Sequence, residues 1–332
     1  MPELVPNMKH NAIFDIQTEG DFLTQALRIF RFQYDNNIVY HDFCTYLNVQ
    51  PDDVQTLEQI PFLPIEFFKS KDVLSTTDTP EITFTSSGTT GSETSKHFVT
   101  NLSLYEQSYL KAFNHFYGDI ENYCVLALLP SYLERTGSSL IYMADDLIKK
   151  SNHPESGFFL NEYEQLHQLL LQLQKTDTKI LIIGVSFALL EFTEQYQMSL
   201  HNTIVMETGG MKGRRKEIVR QELHELLSTG FGVQNIHSEY GMTELLSQAY
   251  SKGNGVFDCP AWMKILVRDT EDPLSYLNNG KSGGINVIDL ANINSCSFIA
   301  TQDLGKINQD GTFEIIGRFD NSDIRGCNLM VL

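Results

Sequence analysis

The chain has 332 residues, 42% of them hydrophobic, enough for one large core or two ordinary ones. A formal net charge of −18 argues against a nucleic-acid partner, because phosphate binding draws on clustered Lys and Arg and the one basic cluster, Lys212 to Lys216, is short. The N-terminus lacks a signal-peptide pattern, no apolar run reaches the ~20 residues of a membrane helix, and the five cysteines are scattered without C-x-x-C spacing; a cytoplasmic protein with reduced thiols, no membrane span and no zinc site is expected.

Apolar residues at helical spacing, Phe22, Leu23, Ala26, Leu27, Ile29 and Phe30, then Tyr40, Phe43 and Leu47, predict a helical lead-in within residues 1–78. The two prolines of Ile60-Pro61-Phe62-Leu63-Pro64 forbid a regular helix and predict an extended stretch. It leads to Thr85-Ser86-Ser87-Gly88-Thr89-Thr90-Gly91-Ser92, a run that cannot fill a core. Its glycines let the backbone approach an anion and its hydroxyls add donors, which suits the phosphates of ATP; a solvated turn is the bland alternative. It is not a Walker loop, since Gly91 is followed by Ser92 rather than lysine.

Phe98 to Phe116 reads as a helix, and Cys124 to Pro130 as a buried strand whose following loop, Ser131 to Ser139, lies where open α/β sheets place ligands. A helix with Tyr163, Leu166, Leu169, Leu170 and Leu173 on one face precedes a buried parallel strand over Ile180 to Val185. A strand over Thr203 to Met206, a turn at Gly209 and Gly210, and a helix with Ile218, Val219, Leu223, Leu226 and Leu227 inward and Gly230 as its stop continue the βαβ rhythm. An α/β core over 79–250 is therefore expected, followed over 251–332 by a β-rich subdomain and a short C-terminal tail.

Five later residues each carry a functional group with a bland reading beside it. In Tyr240-Gly241-Met242-Thr243-Glu244 the last two are either a helix cap and a first-turn acid or a hydroxyl and a carboxylate for phosphate and cation. By itself Asp303 reads as an exposed turn acid and Arg318 as a surface charge. Cys327 is either a small buried hydrophobe or a nucleophile beside Arg325.

In their order, the hydroxyl loop, Tyr240 to Glu244, Thr301-Gln302-Asp303-Leu304-Gly305 and Gly317-Arg318-Phe319-Asp320 resemble the core motifs of the adenylate-forming superfamily of acyl-CoA synthetases and peptide-synthetase adenylation domains. The resemblance implies the large N-terminal domain of that fold, layered α/β sheets with a small β subdomain, binding ATP and Mg2+. It also implies site roles: Thr85 to Gly91 on the phosphates, Thr243 on the α-phosphate, Glu244 on Mg2+, Gly209 and Gly210 beside adenine, the Tyr240 ring stacked on it with Gly241 following, Asp303 accepting both ribose hydroxyls, and Arg318 on the ribose or a phosphate. Lys96 stands near the family's lysine after the loop, at a stretched spacing.

Over nearly its whole length the chain is similar to the acyl-protein synthetase branch of fatty-acid reductase complexes, and less so to phenylacetate-CoA ligases. Ile60 to Pro64 with Phe67-Phe68-Lys69, Leu129-Pro130-Ser131, Glu207-Thr208-Gly209-Gly210 and Asp320 to Cys327 carry this. The branch implies that the family's mobile C-terminal domain is absent, that a carboxylic, fatty acid is activated, and that Cys327 accepts the acyl group and passes it to a reductase, a carrier protein or coenzyme A. A CoA ligase whose C-terminal domain comes from another chain and a nucleotide-binding subunit without turnover are the alternatives.

Overall fold

The computed structural model describes residues 10–86, 94–129, 137–209 and 218–319. Helix α1 (Glu19–Asn36) starts at a capping box in which the Thr18 hydroxyl accepts from Asp21 N at 3.1 Å and the Asp21 carboxylate accepts from Thr18 N at 2.9 Å. After α2 (Ile38–Tyr46), the prolines confine the next segment to a two-residue strand, β1 (Leu63–Pro64), and a single turn, α3 (Phe67–Ser70). The lead-in is fastened elsewhere: Phe30 and Tyr40 meet Phe298, and the Gln33 amide donates to the Asn292 and Ile293 carbonyls at 3.0 and 2.9 Å.

Strands β2 (Ile82–Thr85) and β3 (Lys96–Val99) form an antiparallel hairpin that sets Thr85 opposite Lys96, and the hydroxyl-and-glycine run joins their ends. Phe98 and Val99 therefore belong to a strand, not to the helix expected from Phe98; α4 (Leu102–Tyr117) begins only after Asn101. Burial of His97 and Val99 between the less buried Lys96 and Phe98 has period two, which a strand satisfies and a helix does not.

The middle of the chain alternates strand and helix: β4 (Tyr123–Leu128), α5 (Ser139–Ser151), β5 (Gly157–Phe159), α6 (Tyr163–Leu173), β6 (Lys179–Val185), α7 (Ser186–Gln195), β7 (Thr203–Thr208), α8 (Arg220–Phe231) and β8 (Ile236–Tyr240). The strands are parallel in the order β5-β4-β6-β7-β8. β4 is buried throughout and β6 from Ile180 onward, as strands covered on both faces must be. Helix α8 differs from expectation: Val219, extended and 70% exposed, precedes it, Leu226 also faces outward, and Gly230 lies inside it. Gly232, at φ +67°, ends the helix, while the Cα of Gly230 presses on Thr193 of α7 so closely that a Cβ would overlap it.

The last third is antiparallel: β9 (Ala249–Ser251), β10 (Val256–Asp258), β11 (Met263–Arg268), β12 (Ser282–Asp289), β13 (Phe298–Ile307) and β14 (Phe313–Arg318). Through the β8–β9 pairing it continues the parallel strands into one sheet of twelve described strands, one of which is β1, beside β13. Among the described residues no helix is long and apolar enough to cross a membrane.

Candidate active site

The register of β7 and β8 places Thr208 beside Glu239, so the segments after both strands leave the same edge of the sheet. The hairpin docks at that edge. Its open end is closed by Ser86 N donating to the Ser95 carbonyl at 3.1 Å and Ser95 N to Ser86 Oγ at 2.8 Å. Thr85 N donates to Gly137 O at 2.7 Å, and Gly137, at φ +91°, lies where a Cβ would crowd Thr85 Oγ1 and the Thr83 carbonyl. Of the hydroxyl loop, Thr85 and Ser86 are placed by these bonds; Ser87, Gly88, Thr89, Thr90 and Gly91 lie outside the described residues.

Behind the hairpin, β3 meets the segment after β8. His97, 1% exposed, has Nδ1 2.8 Å from the Thr243 carbonyl and Nε2 2.9 Å from Asn292 Oδ1, and Asn292 Nδ2 donates to the Glu244 carbonyl at 2.8 Å. Burial pushes the His97 ring down to about 4, against both hydrogen bonds. Two residues on, Leu246 N and Ser247 N donate to Asp289 Oδ2 at 2.7 and 2.9 Å, so a buried carboxylate pins the same segment from the β12 side. No helix starts at Thr243: the segment turns, with Leu245 N donating to the Met242 carbonyl at 3.1 Å.

The Glu244 side chain is 5% exposed. Burial raises its pKa, and the Ser95 hydroxyl, Arg318 and Lys69 oppose the rise. Ser95 adjoins the hairpin strand β3 and Arg318 ends β14, so this carboxyl feels groups from two separate elements.

Tyr240, at the end of β8, is buried edge-on against Phe257 and Phe313 and donates through its hydroxyl to Asp303 Oδ2 at 2.8 Å. The β13–β14 register pairs Asp303 with Arg318, whose Nε lies 3.7 Å from Asp303 Oδ1. Burial raises the Asp303 pKa against the Tyr240 hydrogen bond and the charges of Arg318, Arg268 and Arg220. Tyr240, Asp303 and Arg318 thus form one contact chain, joined to Thr243 and Glu244 by the two residues Gly241 and Met242. Gly209, at φ +66°, follows β7, and its carbonyl accepts from Ser186 Oγ at 2.9 Å. Gly210 and Cys327 lie outside the described residues.

Four residues that the motifs do not contain help to build this site: His97, Asn292, Asp289 and Glu239. Glu239 Oε2 accepts from Thr208 Oγ1 at 2.6 Å, and its Oε1 lies against the bare Cα of Gly241, a position where any side chain would collide with it. Burial raises Glu239 to about 7, opposed by Thr208 and reinforced by Glu207. Glu239 precedes the tyrosine of a motif already in view, so alternation along β8 puts it on the face opposite Tyr240. His97 follows Lys96 directly, but its partners are 146 and 195 residues away, and no local pattern announces them.

The donor set suits a magnesium ion held mainly by phosphate and water. Glu244 supplies one carboxylate near the hydroxyl of Ser95, and among the described residues no group of three or more His, Cys, Asp or Glu forms a cage. Glu244 is the residue that would hold the ion, and a cation beside this buried carboxyl would offset the burial that raises its pKa.

A scan of protein-family models and a search of curated proteins each returned no match. Solved structures do match. ATP-bound MatB from Rhodopseudomonas palustris superposes on 71% of this chain and 47% of its own, with TM-score 0.54 and 17% identity. Two structures of 2-hydroxyisobutyryl-CoA ligase, an open form with 2-HIB-AMP and CoA and a postadenylation form with 2-HIB-AMP, cover 91% of this chain and 70% and 68% of theirs, with TM-scores of 0.67 and 0.69 at 10% and 11% identity. The chain has the fold of the adenylate-forming ligases' large N-terminal domain. It spans about half the length of the MatB structure.

Proposed function

We propose that the chain catalyses ATP-dependent, AMP-forming activation of a carboxylic acid. An oxygen of the acid bonds to the α-phosphorus of ATP, the bond to pyrophosphate breaks, and an acyl-adenylate results. The observation that carries this reading is the convergence of the hairpin, the Thr243–Glu244 turn and the Tyr240–Asp303–Arg318 chain at one edge of the sheet. Positioning and charge neutralisation are what such a reaction asks of a protein. Thr85 and Ser86 stand at the base of the phosphate loop, Glu244 is the metal carboxylate, and Asp303 with Arg318 offers an acceptor and a donor to the ribose. Magnesium, when bound, neutralises the charge gathered on the phosphates.

In its finer form the reading takes a fatty acid as substrate and Cys327 as acceptor: the thiolate sulfur bonds to the acyl carbon and AMP leaves, giving a thioester. The sequence resemblance supports this step. Coenzyme A as acceptor is the second reading, favoured by the folds shared with ligases whose names carry it.

Acid-dependent exchange of labelled pyrophosphate into ATP is the test. Exchange is expected in the wild type and should fall by about 100-fold or more in Glu244→Ala. A hydroxylamine-labile acyl label on the protein should vanish in Cys327→Ser. Absence of exchange with every acid tried refutes activation, whereas a label that survives Cys327→Ser refutes that acceptor alone.

A further inference from the structure

We infer that His97, acting with Asn292, is a positioning residue that holds the metal-binding carboxylate at the phosphate hairpin. The inference rests on the activation reading above and adds residues that none of its motifs contains.

His97 lies one residue after Lys96 and pairs in register with Phe84, so its backbone is fixed by the same strands that present the hydroxyl loop. Its ring is buried, stands edge-on to Phe68 with centroids 5.8 Å apart, and sets Nδ1 against the Thr243 carbonyl and Nε2 against the Asn292 side chain, whose Nδ2 donates to the Glu244 carbonyl; the neutral ring has one N–H, and with it on Nδ1 the ring donates to Thr243. Asn292 is itself placed by its neighbours, since its carbonyl accepts from Gln33 Nε2 and its amide N donates to the Asp289 carbonyl at 3.0 Å. Neither side chain reaches the exposed part of the cleft, as both are 1% exposed. Their polar atoms are therefore spent on orientation rather than on a ligand.

Two successive carbonyls gripped in this way fix the peptide planes on both sides of the Glu244 Cα, and with them the direction of its carboxylate. The grip comes from β3, so the carboxylate is set relative to the β2–β3 hairpin and not merely relative to the large sheet. Groups that orient a metal ligand from behind typically change metal affinity by about 10–100-fold when removed.

The test measures Mn2+, in place of Mg2+, binding to the full chain in the presence of saturating ATP, read by electron paramagnetic resonance, beside calorimetric ATP binding without metal. In His97→Ala protein with wild-type circular dichroism, Mn2+ affinity is expected to fall about 10-fold or more, while metal-free ATP affinity stays within about twofold. His97→Asn, which keeps a donor for Thr243 and loses the reach to Asn292, should fall less; if His97→Ala does not fold, this variant and Asn292→Ser carry the measurement. Unchanged Mn2+ affinity in these folded variants overturns the positioning role and leaves the activation reading standing. A wild-type protein that takes up no Mn2+ with ATP overturns both.

Discussion

Burial raises the Glu239 carboxyl to about 7, with the neighbouring Glu207 adding to the rise. The folded chain therefore holds a proton that the unfolded chain, with an ordinary glutamate, releases well below that pH. Between the two values the folded state binds more protons, so stability falls as pH rises and is greatest on the acid side of this window. A difference of this size is worth roughly 3 kcal/mol at full effect. Glu239→Gln keeps an oxygen for the Thr208 hydroxyl and cannot ionise. Denaturant midpoints at about pH 5 and about pH 8 should show the wild type losing stability with rising pH and the variant losing much less; parallel pH dependences would refute this account of Glu239. The same contrast of environments runs through the site, where Glu244 and Asp303 are also raised by burial while facing arginine charge.

At the scale of elements, Gly230 makes the contact between α7 and α8 as close as it is. A Cβ there would overlap Cβ and Cγ2 of Thr193, so Gly230→Ala should cost about 1–3 kcal/mol in urea unfolding through overpacking. Gly157 in β5 has open space around its Cα, and Gly157→Ala should stay within about 0.5 kcal/mol of wild type; equal effects at the two positions would refute the packing argument. Gly230 is also where reading the sequence misassigned a role: a glycine near the end of an apolar period looks like a stop, and only the neighbouring helix reveals that it is there for contact, with Gly232 ending α8. The buried parallel strand over Ile180 to Val185 and the helix carrying Leu166, Leu170 and Leu173 were legible because burial on both faces or on one stripe writes itself into local spacing. The hairpin strand β3 was not, since four residues offer too short a period to distinguish from a helix start. Tyr240, Glu244 and Asp303 were nominated by motif, whereas His97 and Asn292 act through tertiary contacts that leave no local trace.

At the scale of the whole molecule, the question is whether the parallel and antiparallel parts unfold as one. The sheet runs through both without a break, and β9 spans the position, near residue 250, at which the sequence changes texture. Side chains reinforce the join: the Trp262 indole N–H lies 3.0 Å from Ser108 Oγ on α4 and from Ser247 Oγ after β8, and Asp289 holds the segment containing Ser247. Removing the antiparallel part would leave β8 with an open edge and the Thr243–Glu244 turn without Asn292 or Asp289, so neither part keeps its buried polar groups satisfied alone. Cooperative unfolding follows. Trp262 is the one tryptophan in the sequence and sits in the antiparallel part, whereas among the described residues six of the eight α-helices, and with them most of the helical far-ultraviolet signal, follow β1 and precede β8. Tryptophan fluorescence and circular dichroism should therefore trace the same transition in urea, with a common midpoint. A fluorescence transition at clearly lower denaturant would mean that the antiparallel strands open first, and that the Tyr240–Asp303 hydrogen bond, which crosses between the two parts, breaks early in unfolding.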